Sequence, residues 1–273
     1  MTRDDVGGRL ADAARRLALG GVASPRLDAR ILLAHVLGET PGAVGLYPER
    51  ALTDEQIQAF ERLLSRRRDR EPVSRILGQR GFWTLDLALS PDTLDPRPDT
   101  ETLIEAVLEA CPDRSAPLTM LDLGTGTGCL LLALLSEFPR ALGVGVDLSP
   151  GALLTARRNA VAAGVADRAR WVGSCWAGAL TGSFDVIVSN PPYVPDAEIA
   201  GLEPEVARFD PRLALSGGGG WPGCLSRPGS RSCPVAGTSG RWLRGSRRGT
   251  GLRRHRNSCG CRTESCRHEA GPS

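Results

Sequence analysis

The 273 residues carry 34 Arg and no Lys against 31 Asp and Glu, with 41% hydrophobic residues, which is enough apolar content for one large or two modest domains. No run approaches the ~20 apolar residues of a membrane span, and Met1-Thr2-Arg3-Asp4-Asp5 lacks a signal peptide's apolar segment, so a cytoplasmic protein with reduced cysteines and no membrane partner is expected. The formal charge of +3 is unevenly placed: residues 217–273 hold 11 Arg against 2 Glu, the first 216 hold 23 Arg against 29 acids, and an acidic body argues against a specific nucleic-acid partner.

The N-terminal third reads as helical. Leu10, Ala13, Ala14 and Leu17 form one apolar face. Ser24-Pro25 reads as the cap and first-turn proline of a second helix, continued by Leu27, Ile31, Ala34 and His35, the last a packed or half-exposed helix residue rather than a catalyst. Thr53-Asp54-Glu55-Gln56 is a capping box opening a third helix through Ile57, Phe60 and Leu64, and Arg66-Arg67-Arg68 reads as its solvated face. Gly81 to Ser90 alternates as a hairpin. The organisation expected is a helical domain over 1–75 and a β-hairpin connector over 76–95.

Met120-Leu121-Asp122-Leu123 is a short apolar strand feeding Gly124-Thr125-Gly126-Thr127-Gly128, after which Cys129 to Leu135 continue at helical composition. Strand, glycine turn and helix open a nucleotide-binding α/β unit with backbone N–H groups facing the ligand. The Gly-x-Gly-x-Gly spacing departs from the Gly-x-Gly-x-x-Gly dinucleotide fingerprint. A second strand ends at Asp147, whose carboxylate suits both hydroxyls of a ribose or, alternatively, the N-terminus of a helix opening at Ser149-Pro150.

Phe184-Asp185-Val186-Ile187-Val188-Ser189 then runs into Asn190-Pro191-Pro192-Tyr193. Two prolines end the strand, because neither donates a backbone hydrogen bond. The rigid corner suits gripping a planar NH2 group: the Asn190 side-chain oxygen and the Pro191 carbonyl each accept one N–H, and Tyr193 covers the plane. Asp122, the glycine turn, Asp147 and this corner occur in the order that a Rossmann-like S-adenosylmethionine-binding methyltransferase needs.

With these motifs the chain resembles the HemK/PrmC-type family of protein-glutamine N5-methyltransferases. The corner alone is shared with adenine-N6 methyltransferases. The resemblance to the glutamine enzymes rests also on Glu71-Pro72-Val73, Ile76-Leu77-Gly78, Phe82-Trp83, Pro96-Arg97-Pro98-Asp99-Thr100-Glu101 and Arg208-Phe209-Asp210-Pro211-Arg212-Leu213-Ala214-Leu215. It implies an α/β methyltransferase domain over 96–219 preceded by the small all-α domain, which would help receive the protein substrate. It implies S-adenosyl-L-methionine as cofactor and N5-methylation of the glutamine in the Gly-Gly-Gln motif of peptide chain release factors by a monomer. Gly124 to Gly128 would line the methionine and ribose part, Asp147 the ribose hydroxyls and Trp176 the adenine, with Asn190 also touching the cofactor. Asn190, Pro191, Pro192 and Tyr193 would receive the substrate amide, and Asn190, Pro191 and Tyr193 would be the catalytic residues. Two positions depart from the pattern. Asp95 stands where an aliphatic residue is usual, and Cys175 where an acid is usual, which implies weaker cofactor binding.

From Gly217 onward the composition changes to 13 Gly, 11 Arg, 8 Ser and 5 of the 8 Cys, with no strand or helix period. A one-nucleotide shift of frame permits a Gly flanked by Asp near Trp221-Pro222 and Arg-Pro-Gly-Gly-Gly near Thr238 to Leu243, strings the family would carry there. Residues 220–273 therefore read as an out-of-frame tail, and an inactive remnant of the enzyme is the alternative to an active one. The Cys259, Cys261, Cys266 and His268 set lacks the usual Cys-x2-Cys spacing, so no metal site is expected.

Overall fold

A computed structural model describes residues 4–216 and the backbone of Val235–Ala236. Helix α1 (Val6–Leu19) starts at Asp5, whose carboxylate accepts from Gly8 N at 2.7 Å, and buries Val6, Ala13 and Leu17. Helix α2 (Pro25–Leu37) packs between α1 and α4 (Asp54–Arg68), with the single turn α3 (Pro41–Val44) beside it.

Three expectations need correction here. Leu27 is 55% exposed; Ala29, Leu32 and Leu33 carry the contact, because the fuller stripe at i, i+3, i+4 faces α1 and α4. Ser24 occupies the N-cap position without a side-chain capping bond, its ψ of 59° lying outside the extended geometry that presents the hydroxyl to the first turn. Arg67 is buried rather than solvated, because its position on α4 faces α2 and its Nε donates to Asp28 at 2.7 Å. The Thr53–Gln56 capping box is formed in both directions, at 3.0 and 3.3 Å. Phe60 and Leu64 on the same helix are fully buried, each contributing roughly 1.5–3 kcal/mol. His35 lies exposed in the last turn of α2.

Helix α5 (Val73–Leu77) leads through Gly78 in the left-handed region (φ 70°) into the hairpin β1 (Gln79–Phe82) and β2 (Leu85–Ala88). The hairpin turn is fixed on the second domain by Trp83. Its backbone N donates to Glu101 and its indole to Glu137, at 2.8 and 2.7 Å. A 3-10 turn (Pro98–Thr100) runs directly into α6 (Glu101–Ala110).

The second domain is a parallel sheet of β3 (Thr119–Leu123), β4 (Leu142–Asp147), β5 (Ala169–Gly173), β6 (Val186–Ser189) and β7 (Val235–Ala236), in the order β5-β4-β3-β6-β7. The connections β3–α7 (Cys129–Glu137)–β4 and β4–α8 (Pro150–Ala162)–β5 run to one side of β3, and β6 then returns to its other side. Between β4 and β6 the winding reverses at β3, the crevice where doubly wound sheets bind ligands. Alternation assigns the faces: Met120, Val186 and Val188 join the core with α6 and α7, while Leu121, Leu123 and Val146 pack on the other side. Helix α7 is apolar all round, and Leu130 to Leu135 are all buried.

After β6 the chain forms a 3-10 turn (Ile199–Gly201), α9 (Pro204–Phe209) and α10 (Arg212–Leu215). Of the 220–273 tail, the pairing of Val235–Ala236 with Ile187–Val188 is a strand that its composition does not predict. The rest of the tail, including Cys259, Cys261, Cys266 and His268, lies outside the described residues.

Candidate active site

β3, β4 and β6 are parallel, so Asp122 and the glycine turn, Asp147, and the Asn190 corner all reach the same sheet edge. They surround a cleft of about 260 Å³. Its walls are completed by Asp92, Leu94, Pro96 and Thr100 from the connector, by Ser174, Cys175 and Trp176 after β5, and by Leu213, Ala214 and Ser216 from the last described turn.

The glycine turn hangs from β4, with Gly124 N and Thr125 N both donating to Val146 O at 2.8 and 2.9 Å. Gly124 and Gly126 have φ of 74° and 54°, and a Cβ on either would meet nothing within 4 Å. Backbone curvature requires these glycines, and they leave the peptide edge open to a ligand. Gly128 is different: a Cβ there would sit 3.1–3.3 Å from Leu132, Trp171 and Ala156. Trp171 lies under the turn so closely that a Cβ on Gly145 would stand 2.4 Å from its ring. Asn159, 2% exposed, closes the back of the site. Its Nδ2 donates to Thr127 O and Ala88 O at 2.9 and 3.1 Å, and its Oδ1 accepts from Ala88 N at 2.8 Å.

Asp147 ties the glycine turn to the residue ahead of α8 and does not itself cap that helix, because Ser149 takes the cap position. Oδ1 accepts from Ser149 N at 2.9 Å beside the start of α8, and Oδ2 accepts from Gly126 N at 2.8 Å, joining the turn to the second strand's end. The cap itself is Ser149, whose Oγ accepts from Ala152 N at 3.2 Å. Each carboxylate oxygen has a second acceptor position.

Asp122 is 1% exposed, and its Oδ2 accepts from Thr125 Oγ1 at 2.7 Å, while its buried Oδ1 lacks a close hydrogen-bond partner. Burial, with Asp147 adding to it, pushes its carboxyl up to about 7 against the opposing pull of the Thr125 hydroxyl and the Leu131 backbone N–H. Burial and then Asp122 push the Cys129 thiol up to about 12, so it stays a neutral thiol.

At the corner, Asn190 Nδ2 donates to Thr100 Oγ1 at 3.2 Å, and Ser189 Oγ ties β6 to Leu123 O at 2.8 Å. Asn190 and Pro192 line the cleft; Pro191 is buried beside it, and Tyr193 stands 67% exposed. Trp176 lines the opposite end with φ 54°, a left-handed conformation uncommon for a bulky residue.

The PrmC N-terminal domain family matches residues 9–78, and the methyltransferase small domain family matches residues 82–203. The release factor glutamine methyltransferase of Rhodospirillum rubrum is 60% identical over 215 residues, covering 77% of this chain and 65% of its own. That of Agrobacterium fabrum is 44% identical over 216 residues, covering 78% of this chain and 75% of its own. The chain belongs to the release factor glutamine methyltransferase family. The Escherichia coli member is 46% identical over 193 residues, 70% of this chain and 68% of its own.

The fold of this release factor glutamine methyltransferase family member is the helical domain followed by the S-adenosylmethionine-dependent methyltransferase sheet. Among the described residues, three carboxylates and no arginine line its cleft. That wall fits a cationic ligand and opposes a pyrophosphate, and the unpartnered Asp122 Oδ1 gives a cation a specific place to bind. S-Adenosylmethionine, with its sulfonium and ammonium groups, has that chemistry. Sequence reasoning passed over Trp171, Asn159 and the role of Thr100. The first two act from beneath the turn, and only the third carried a signal, its place within Pro96 to Glu101. No helix among the described residues is long and apolar enough to cross a membrane.

Proposed function

We propose that the chain uses S-adenosyl-L-methionine to methylate the side-chain nitrogen of the Gly-Gly-Gln glutamine in peptide chain release factors, acting as a cytoplasmic monomer. The observation that carries this reading is the Asn190 amide held by Thr100 at the edge of a cleft lined by carboxylates. The cofactor supplies an electrophilic methyl group on a sulfonium. Asp147 and the N–H edge of Gly124 to Gly128 would hold its ribose and methionine portions, Asp122 its cationic part, and Trp176 its adenine.

A primary amide nitrogen is a weak nucleophile, because its lone pair is delocalised into the carbonyl. Removing its proton before attack is unfavourable at neutral pH. Turning Nδ2 of Asn190 toward Thr100 directs Oδ1 the other way, where it can accept one substrate N–H while the Pro191 carbonyl accepts the second. Both acceptors orient the nitrogen and stabilise positive charge as it develops there, and the proton leaves after transfer. Tyr193, exposed beside Pro192, would cover the amide plane.

The test is incubation of the purified chain with labelled cofactor and either a release factor or adenine-containing DNA, followed by mass mapping. Methyl on the glutamine supports the reading. Transfer to adenine instead, or no transfer by a folded chain that binds cofactor, overturns it. The tail's composition favours reading residues 220–273 as out of frame, and resequencing through the codons for Leu215 to Trp242 decides that point. A confirmed break with no transfer would make the chain a remnant.

A further inference from the structure

The segment from Val194 to Ser216 supplies the Leu213–Ser216 wall of the cleft and is joined to the corner by Val194 N donating to Leu215 O at 3.0 Å. It has few apolar anchors: Ile199 and Leu215 are buried, while α9 buries no residue. Two carboxylates attach it to the rest of the molecule. Glu205 receives Arg70 through two bonds of 2.7 Å and Arg67 at 3.0 Å, and Arg67 also holds Asp28 on α2. Asp210, with its side chain 1% exposed, receives Arg75 and Arg97 at 2.7 Å each and the Asp95 backbone N at 3.3 Å. Asp95 in turn accepts from Ser74 Oγ at 2.5 Å.

Arg67, Arg70 and Arg75 all belong to the helical domain's end of the chain, whereas Glu205 and Asp210 lie beyond the catalytic corner. The bidentate Arg70 contact fixes direction as well as distance.

We propose that Glu205 and Asp210 are positioning residues, which use arginines of the helical domain to hold the Leu213–Ser216 wall and the Asn190 corner in register for transfer. The inference rests on the methyltransferase reading for its kinetic consequence but not for its structural one. Neither carboxylate lines the cleft, and the contacts offered by Asp122, the glycine turn and Asp147 do not pass through them, so cofactor affinity should fall less than turnover when they are lost.

Glu205→Ala, Arg70→Ala and the double variant test this by hydrogen exchange, cofactor titration and turnover on a release factor. Glu205→Ala is expected to speed exchange across 194–216 at least tenfold and leave 119–147 unchanged. It should lower kcat about tenfold and raise the cofactor Kd by less than threefold, with the double variant no worse than Glu205→Ala alone and Arg70→Ala milder, since Arg67 still holds Glu205 there. Asp210→Asn, which keeps the shape, should repeat the pattern. Unchanged exchange across 194–216 overturns the proposal whether or not the wild type is active, and so does faster exchange with unchanged kcat in an active enzyme. If Glu205→Ala does not fold, Glu205→Gln, which keeps the shape and removes the charge, is measured instead. Unchanged exchange across 194–216 in that variant then counts against the proposal. A wild type that transfers no methyl to glutamine counts against the proposed function alone.

Discussion

Asn190 and Thr100 are 90 residues apart in sequence, and 3.2 Å separates the amide nitrogen of one from the hydroxyl of the other. The residue that would grip the substrate is thus oriented by the start of α6, on a different element from the strand that carries it. Thr100→Val keeps the shape and removes the acceptor. It should lower kcat about tenfold, the value of one hydrogen bond of about 1.4 kcal/mol, with little change in cofactor affinity. Asn190→Ala should lower kcat by roughly 10²–10³ while the Kd for cofactor, read by titration calorimetry, stays nearly constant. Equal loss of both quantities would refute this division of labour.

The buried Asp122 makes stability fall as pH rises. Its folded-state value, about 7, lies above the unfolded one, so between about 4 and 7 the native state holds a proton that the unfolded chain has lost. The penalty is complete above about pH 7 and absent below about pH 4. Asp122→Asn, still able to accept from Thr125, should raise the ligand-free Tm at pH 8 and not at pH 3.5. The gain is on the order of a few kcal/mol. The same substitution should weaken cofactor binding, because the unpartnered oxygen is replaced by an amide.

Glu205 carries the opposite sign. Burial pushes its carboxyl up, yet hydrogen bonds from Arg70, its own backbone and Arg67 hold it below the ordinary value. Its contribution is therefore complete above the unfolded value of about 4.3 and is lost as pH falls through the lower folded-state value. Melting curves from pH 3 to 6 should show a shallower acid limb in Glu205→Gln than in the wild type.

Gly145→Ala would place a methyl 2.4 Å from the Trp171 ring and 3.0 Å from Thr125 Oγ1. Overpacking of this kind costs roughly 1–3 kcal/mol, and here the displaced ring supports the glycine turn proposed to hold the cofactor. Both Tm and cofactor affinity should drop, and Trp171→Leu introduced alongside should recover part of the Tm. A neutral Gly145→Ala would show that the ring moves freely.

Asn159→Leu leaves the Ala88 N–H and the Ala88 and Thr127 carbonyls without their side-chain partner, a cost of about 2–4 kcal/mol. Thermal unfolding should register that loss, with hydrogen exchange rising together at β2 and the glycine turn.

Where the chemistry is local, the sequence announced it. The glycine turn after β3, the acid closing β4 and the proline-stopped β6 are each written within a few residues, and helix α4 carries its own capping box. What was illegible depends on rotation or on distant partners. The face of α2 is chosen by two neighbouring helices, so Leu27 points outward against the simplest periodic reading. Arg67 looks solvated in a run of three arginines and becomes buried only because Asp28 and Glu205 arrive from residues 39 and 138 positions away. Trp171 and Asn159 support the site from below, and no spacing rule marks a residue whose partners are backbone atoms of other elements.

The joint between Arg67, Arg70, Arg75 and the carboxylates Glu205 and Asp210 also limits modular exchange between relatives. A helical domain transplanted from another family member would bring its own cations to a segment shaped for these three. Such a chimera would need residues 194–216 to travel with the domain, although they lie on the far side of the catalytic strands in sequence. The structural unit is therefore discontinuous: the N-terminal helices together with the turn that follows the corner.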